Sequence, residues 1–74
     1  MKLTDKHKRI LRFGAHGISI RFVWRWTFER GGLETCTREV GTLLRHGLIT
    51  AAYYAGCEAS ATATDAGRRE LEKS

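Results

Sequence analysis

A chain of 74 residues, 42% of them hydrophobic, is long enough for one folded domain and too short for two. At this size folding buries only about 60% of the surface the unfolded chain exposes, so a deep catalytic cleft beside the core is disfavoured. The formal net charge of +5 sits in the first two-thirds, where residues 1–46 hold ten Lys/Arg against four Asp/Glu, whereas residues 47–74 hold three against four. Such a basic excess suits a polyanion, nucleic acid first, although an acidic protein or a membrane surface would use the same charge.

The first element is a helix opening at Leu3-Thr4-Asp5, with Thr4 or Asp5 as cap and Leu3 packing back as a staple. Leu3, His7, Ile10, Leu11 and Gly14 share its inward face, while Lys8, Arg9 and Arg12 lie on another. Gly14 and Gly17 flank a break. From Ser19 to Arg30 a second helix is expected, with Ile20, Val23, Thr27 and Phe28 inward and Arg21, Arg25 and Glu29 on a solvated stripe. A strand competes for this segment, because Ile18-Ser19-Ile20-Arg21-Phe22 alternates and β-forming residues abound. Phe22, Trp24 and Trp26 exceed what a small core absorbs, so at least one belongs inside and the others mark a partner or dimer interface.

Gly31-Gly32 reads as a turn. A third helix comes next over about residues 34–46, capped near Glu34-Thr35. Cys36, Val40, Leu43, Leu44 and Gly47 make its core stripe, with Arg38, Gly41, Thr42 and Arg45 opposite. Gly47 stands at the position of a helix C-terminal glycine. Leu48–Ala55 and Ala59–Ala63 read as two strands around a turn at Gly56-Cys57-Glu58. Thr64-Asp65 then caps a short helix from Ala66 to about Lys73.

The stretch Val40-Gly-Thr-Leu-Leu-Arg-His-Gly-Leu-Ile-Thr50, together with Thr64-Asp-Ala-Gly-Arg-Arg-Glu-Leu71, resembles the winged helix-turn-helix core of MarR-like and PadR-like bacterial and phage regulators. The resemblance implies one mainly helical domain over residues 1–74, with three helices, a two-stranded wing and a short C-terminal helix. It also implies transcription regulation by a third helix lying in the major groove of double-stranded DNA. Thr35, Thr37, Arg38, Thr42 and Arg45 then face the bases, and an arginine pairing with guanine contributes about 1–3 kcal/mol of discrimination. Lys6, Lys8, Arg9, Arg12, Arg21 and Arg25 become the phosphate contacts. Two departures count against this: the hairpin from Thr50 to Thr64 has no Lys or Arg and only Glu58 as a charge, and Glu34 and Glu39 stand near the reading helix.

The competing expectation is a protein-binding function. A small phage or mobile-element protein of this kind, an anti-CRISPR-type inhibitor for example, would occlude a host machine with its basic and aromatic surface. A homodimer through Phe22, Trp24 and Trp26 is a natural use of the same residues. No nucleophile–base pair, phosphate loop or carboxylate pair points to an enzyme. His7, His16 and His46 with Cys36 and Cys57 match no zinc spacing, so neither metal nor cofactor is expected. The charged start, the lack of an apolar run near about 18 residues and the unpaired cysteines predict a cytoplasmic chain with reduced thiols and no membrane span.

Overall fold

The computed structural model describes residues 2–28 and 34–73. The elements are α1 (Asp5–Phe13), β1 (Ala15–Ile20), β2 (Val23–Phe28), α2 (Thr37–Arg45), β3 (Ile49–Tyr54), β4 (Glu58–Ala63) and α3 (Asp65–Lys73). The four strands form one antiparallel sheet in the order β2-β1-β4-β3. This overturns the mainly helical winged helix-turn-helix expectation. The segment expected as a helix from Ser19 to Arg30 is mostly a β-hairpin, and the expected two-stranded wing is half of a four-stranded sheet. Gly31-Gly32, Glu29 and Arg30 lie outside the described residues.

The physical reason lies in a period of two that spans both strands. Ala15, Gly17 and Ser19 on β1 stand opposite Phe28, Trp26 and Trp24 on β2, and all six share one face. Ala15 continues across to Ala61 and Gly17 to Ala59, which pair in turn with Ala51 and Tyr53 on β3. The inner face thus has small residues on the two central strands and, Ala51 apart, large ones on the edges. The edge side chains lean over the middle, with Trp26 lying directly over Gly17. Residues Ile20 and Val23, expected inside a helix, pair with each other on the opposite face and are exposed.

All three helices join the sheet at one end. Ala15, Phe28, Ile49 and Ala63 are the strand termini there, and the register places them side by side. α1 packs on β4, α2 and α3, while α2 reaches β2 and β3, the two edge strands. Between helices and sheet lies the core of Ile10, Leu11, Trp26, Phe28, Cys36, Val40, Leu43, Leu48 and Ile49 with three alanines. Both hairpin turns project from the other end, tied together by Ser19 N–H donating to the Cys57 carbonyl at 2.9 Å. The molecule measures 37 × 21 × 17 Å.

Local signals set the helix ends. Thr4 caps α1 in a capping box, its hydroxyl accepting from His7 N–H while the His7 ring accepts from Thr4 N–H at 3.1 Å. Gly47, at φ 70°, closes α2 in a Schellman motif: Leu48 N–H donates to Leu43 O at 3.0 Å and Gly47 N–H to Leu44 O at 3.1 Å. Thr64 then clasps the two motif stretches together. Its hydroxyl donates to Gly47 O at 2.8 Å and accepts from Gly67 N–H at 3.2 Å, while its own N–H donates to Leu48 O. The two stretches that carry the family resemblance therefore form one structural joint between α2, β3 and α3.

Candidate functional site

Two exposed regions stand at opposite ends of the molecule. At the helical end, the side of α2 opposite its buried Val40 and Leu43 presents Arg38, Gly41 and Arg45 to solvent, with Thr42 half-buried beside them. A side chain at Gly41 would meet nothing within 4 Å, so the helix surface is open there. Neither arginine forms an ion pair among the described residues. Thr42 donates its hydroxyl to Arg38 O at 3.0 Å, a local bond that uses its proton and neither of its lone pairs. A groove of about 520 Å³ runs between this helix and the start of α1, lined by Thr4, Asp5, Lys6, His7, Arg38, Glu39 and Thr42.

Thr35 and Thr37, expected to read bases, instead serve the edge of the sheet. Thr35 forms an isolated antiparallel bridge with Thr27, and the Thr37 hydroxyl accepts from Trp26 N–H at 3.1 Å. The helix begins at Thr37, three residues later than about 34, because segment 34–37 is spent on β2. The expected phosphate contacts divide into three groups. Lys6 and Arg9 are held by Glu34 at 3.6 and 3.1 Å, and the Arg9 guanidinium lies 4.1 Å from the Phe28 ring centroid. Lys8 and Arg12 form no ion pair among the described residues. Arg21 and Arg25 are on the first hairpin, away from the helical end.

At the hairpin end, the three aromatic residues singled out from the sequence separate as their number required. Trp26 is buried, Trp24 half-buried and Phe22 fully exposed. Trp24 stacks on Trp26 with centroids 6.2 Å apart and meets Tyr53 from the far edge strand at 5.1 Å. Ile18, Ile20, Val23, Tyr53 and Tyr54 add exposed apolar surface. These five were not singled out in the sequence as surface residues; only the alternation of Ile18-Ser19-Ile20 hinted at it.

Arg21 and Phe22 form the turn with φ of 52° and 69°, the left-handed region that costs a non-glycine residue roughly 1–2 kcal/mol. Two-residue hairpin turns of this kind favour Asn-Gly. Replacing Arg21-Phe22 by Asn-Gly is therefore expected to raise stability by about 1–2 kcal/mol, read as a higher midpoint in thermal or urea unfolding.

The two cysteines differ chemically. Cys36 is buried at the start of α2, and its thiol is pushed up to about 11, first by burial and then by Glu39, with Arg9 opposing. Cys57 is exposed at the second turn. A thiol reagent at neutral pH is expected to modify Cys57 alone, with Cys36 reacting only on unfolding. Since folding raises the Cys36 pKa, its neutral form stabilises the fold fully below about pH 9, and that stability is lost progressively between about pH 9 and 11. Alkaline urea titrations of the native chain and Cys36→Ala check this, the decline being shallower in the variant.

Among the described residues, no three His, Cys, Asp or Glu side chains are grouped to hold a metal ion, and no helix is long and apolar enough to cross a membrane. Set against known proteins, the chain matches no family model, no curated protein and no solved structure.

Proposed function

We propose that the chain is a non-enzymatic regulator that binds duplex DNA in the cytoplasm through the outward face of α2. One observation carries this reading: Arg38 and Arg45 share a single exposed helical stripe, with no ion pair among the described residues and with Gly41 between them. Seven residues along a helix separate them by about 10.5 Å, close to three base steps of about 3.4 Å. Both guanidinium groups can then reach guanine edges in one major groove, and the missing side chain at Gly41 lets the helix approach. Glu39 lies about 100° around the helix from Arg38 and so off the stripe, although both line the groove shared with α1. Lys8 and Arg12 on the neighbouring helix suit backbone phosphates, whereas Lys6 and Arg9 are already committed to Glu34. The test is selection from a pooled random duplex library. The reading expects an enriched motif with guanines about three steps apart, and weak, unselective binding lost at moderate salt would refute it.

A second reading has its own observation. A phenylalanine held fully exposed in a left-handed backbone is a cost without a structural return, and such outliers cluster where a partner is gripped. On this reading the hairpin tips dock on a host protein. The Asn-Gly variant of the turn separates the two: it abolishes partner capture while leaving duplex selectivity intact.

A further inference from the structure

The groove between α1 and α2 is lined by hydrogen-bonding groups that the fold does not use. His7 is only 9% exposed, and the capping box fixes its ring. Thr4 N–H donates to Nδ1 at 3.1 Å, so Nδ1 is the bare nitrogen and the ring proton sits on Nε2. No described residue accepts from that N–H. No enclosed side-chain nitrogen lacks a partner, so Nε2 opens to solvent, and the opening is the groove that His7 lines.

Further free donors stand beside it. Cys36 gives α2 no side-chain cap, and the N–H groups of Arg38 and Glu39 have no acceptor among the described residues. The Arg38 guanidinium has no ion pair there either. The same groove carries two carboxylates, Asp5 from α1 and Glu39 from α2, and neither enters an ion pair among the described residues. Lys6, the other charged residue of the lining, is held by Glu34 at 3.6 Å.

We propose that this groove binds a free basic α-amino acid, of which lysine is the simplest. The inventory of free groups selects the ligand. A simple anion would be repelled by Asp5 and Glu39, whereas a simple cation would be repelled by Arg38 and would leave the His7 N–H unmet. A zwitterion satisfies both sets. Its carboxylate accepts from His7 Nε2, the Arg38 guanidinium and the uncapped start of α2, and its α-ammonium donates to a carboxylate of the groove. Asp5 and Glu39 against Arg38 leave one negative charge in excess, which a second positive charge on the ligand balances. An aliphatic stem between the two charges suits walls that are mostly apolar. The volume of about 520 Å³ lies within the range of small-molecule clefts, about 300–1,000 Å³. This site does not depend on the DNA reading; where both hold, ligand and duplex compete for Arg38.

The test is titration of the isotopically labelled full chain with L-lysine at neutral pH, followed by NMR. Cadaverine, which lacks the carboxylate, and hexanoate, which lacks both ammonium groups, serve as partial ligands. Lysine is expected to give saturable shifts at the amides of residues 4–7 and 38–42 and at the His7 ring. Its affinity is expected to exceed that of either partial ligand by about tenfold or more. Arg38→Gln and Asp5→Asn are each expected to weaken lysine binding by about tenfold or more, with an unchanged far-UV circular dichroism spectrum. Lysine without saturable shifts would overturn the proposal. So would cadaverine or hexanoate binding as tightly as lysine, or a folded Arg38→Gln variant that binds lysine as the native chain does.

Discussion

Gly67→Ala is expected to cost this domain about 3 kcal/mol or more, enough to leave much of the chain unfolded. Gly67 is buried in the first turn of α3, where its N–H donates to the Thr64 hydroxyl. A Cβ there would run into the Leu48 carbonyl oxygen and stand 2.9 Å from Leu11 Cδ2. The leucine can turn aside, but the carbonyl cannot. It already accepts from Thr64 N–H at 3.0 Å, and the Thr64 hydroxyl in turn holds Gly47 O at 2.8 Å. Moving the carbonyl therefore loosens the end of α2, the start of β3 and the cap of α3 together. Urea unfolding of the variant checks the loss, and Ala66→Gly beside it, a substitution that adds no atoms, is expected to cost only about 1 kcal/mol.

Arg38→Glu with Arg45→Glu is expected to lower duplex affinity by about a hundredfold or more. Each arginine–guanine pair contributes about 1–3 kcal/mol, and reversal adds repulsion from the phosphates. The fold should be unaffected, because both side chains are exposed and neither enters an ion pair among the described residues. Fluorescence anisotropy on the enriched duplex, with unfolding curves alongside, reads both quantities. Affinity within a few-fold of the native chain would remove α2 from the interface.

The sequence is legible where its information is local. The Thr4 cap, the Gly47 terminator, the Thr64 cap and the stripe of Cys36, Val40 and Leu43 each specify their element within a few residues, although Leu44, expected on the same stripe, is exposed. The outward face of α2 is the complement of that stripe, which is why Arg38, Thr42 and Arg45 are found where the pattern puts them. The first hairpin is not local in this sense. Ile20, Val23, Thr27 and Phe28 happen to match a helical repeat, and Arg21-Phe22 turns the chain without glycine, asparagine or proline. The strands are fixed by Trp26 lying on Gly17 and by Ala15 facing Phe28 and Ala61, matches of large to small that exist only once distant segments are paired.

The fold implied by the resemblance to winged-helix regulators fails for a related reason. Its residues at Gly47, Leu48, Thr64 and Gly67 hold a joint between a helix, a hairpin and a further helix. That joint constrains the chain after α2 and carries no information about the chain before it. A hairpin occupies the place where the second helix was expected. The edge of β2 also takes Thr35 and Thr37 out of the candidate reading set, an engagement that no spacing within α2 reveals.

The most direct measurement of how this protein works is a backbone amide map by NMR, following the isotopically labelled chain as duplex DNA is added. Binding through α2 predicts shifts concentrated at residues 37–45, with weaker ones at Lys8 and Arg12 and none at the hairpin tips. Shifts confined to residues 20–25 and 53–57, or none at all, would contradict it.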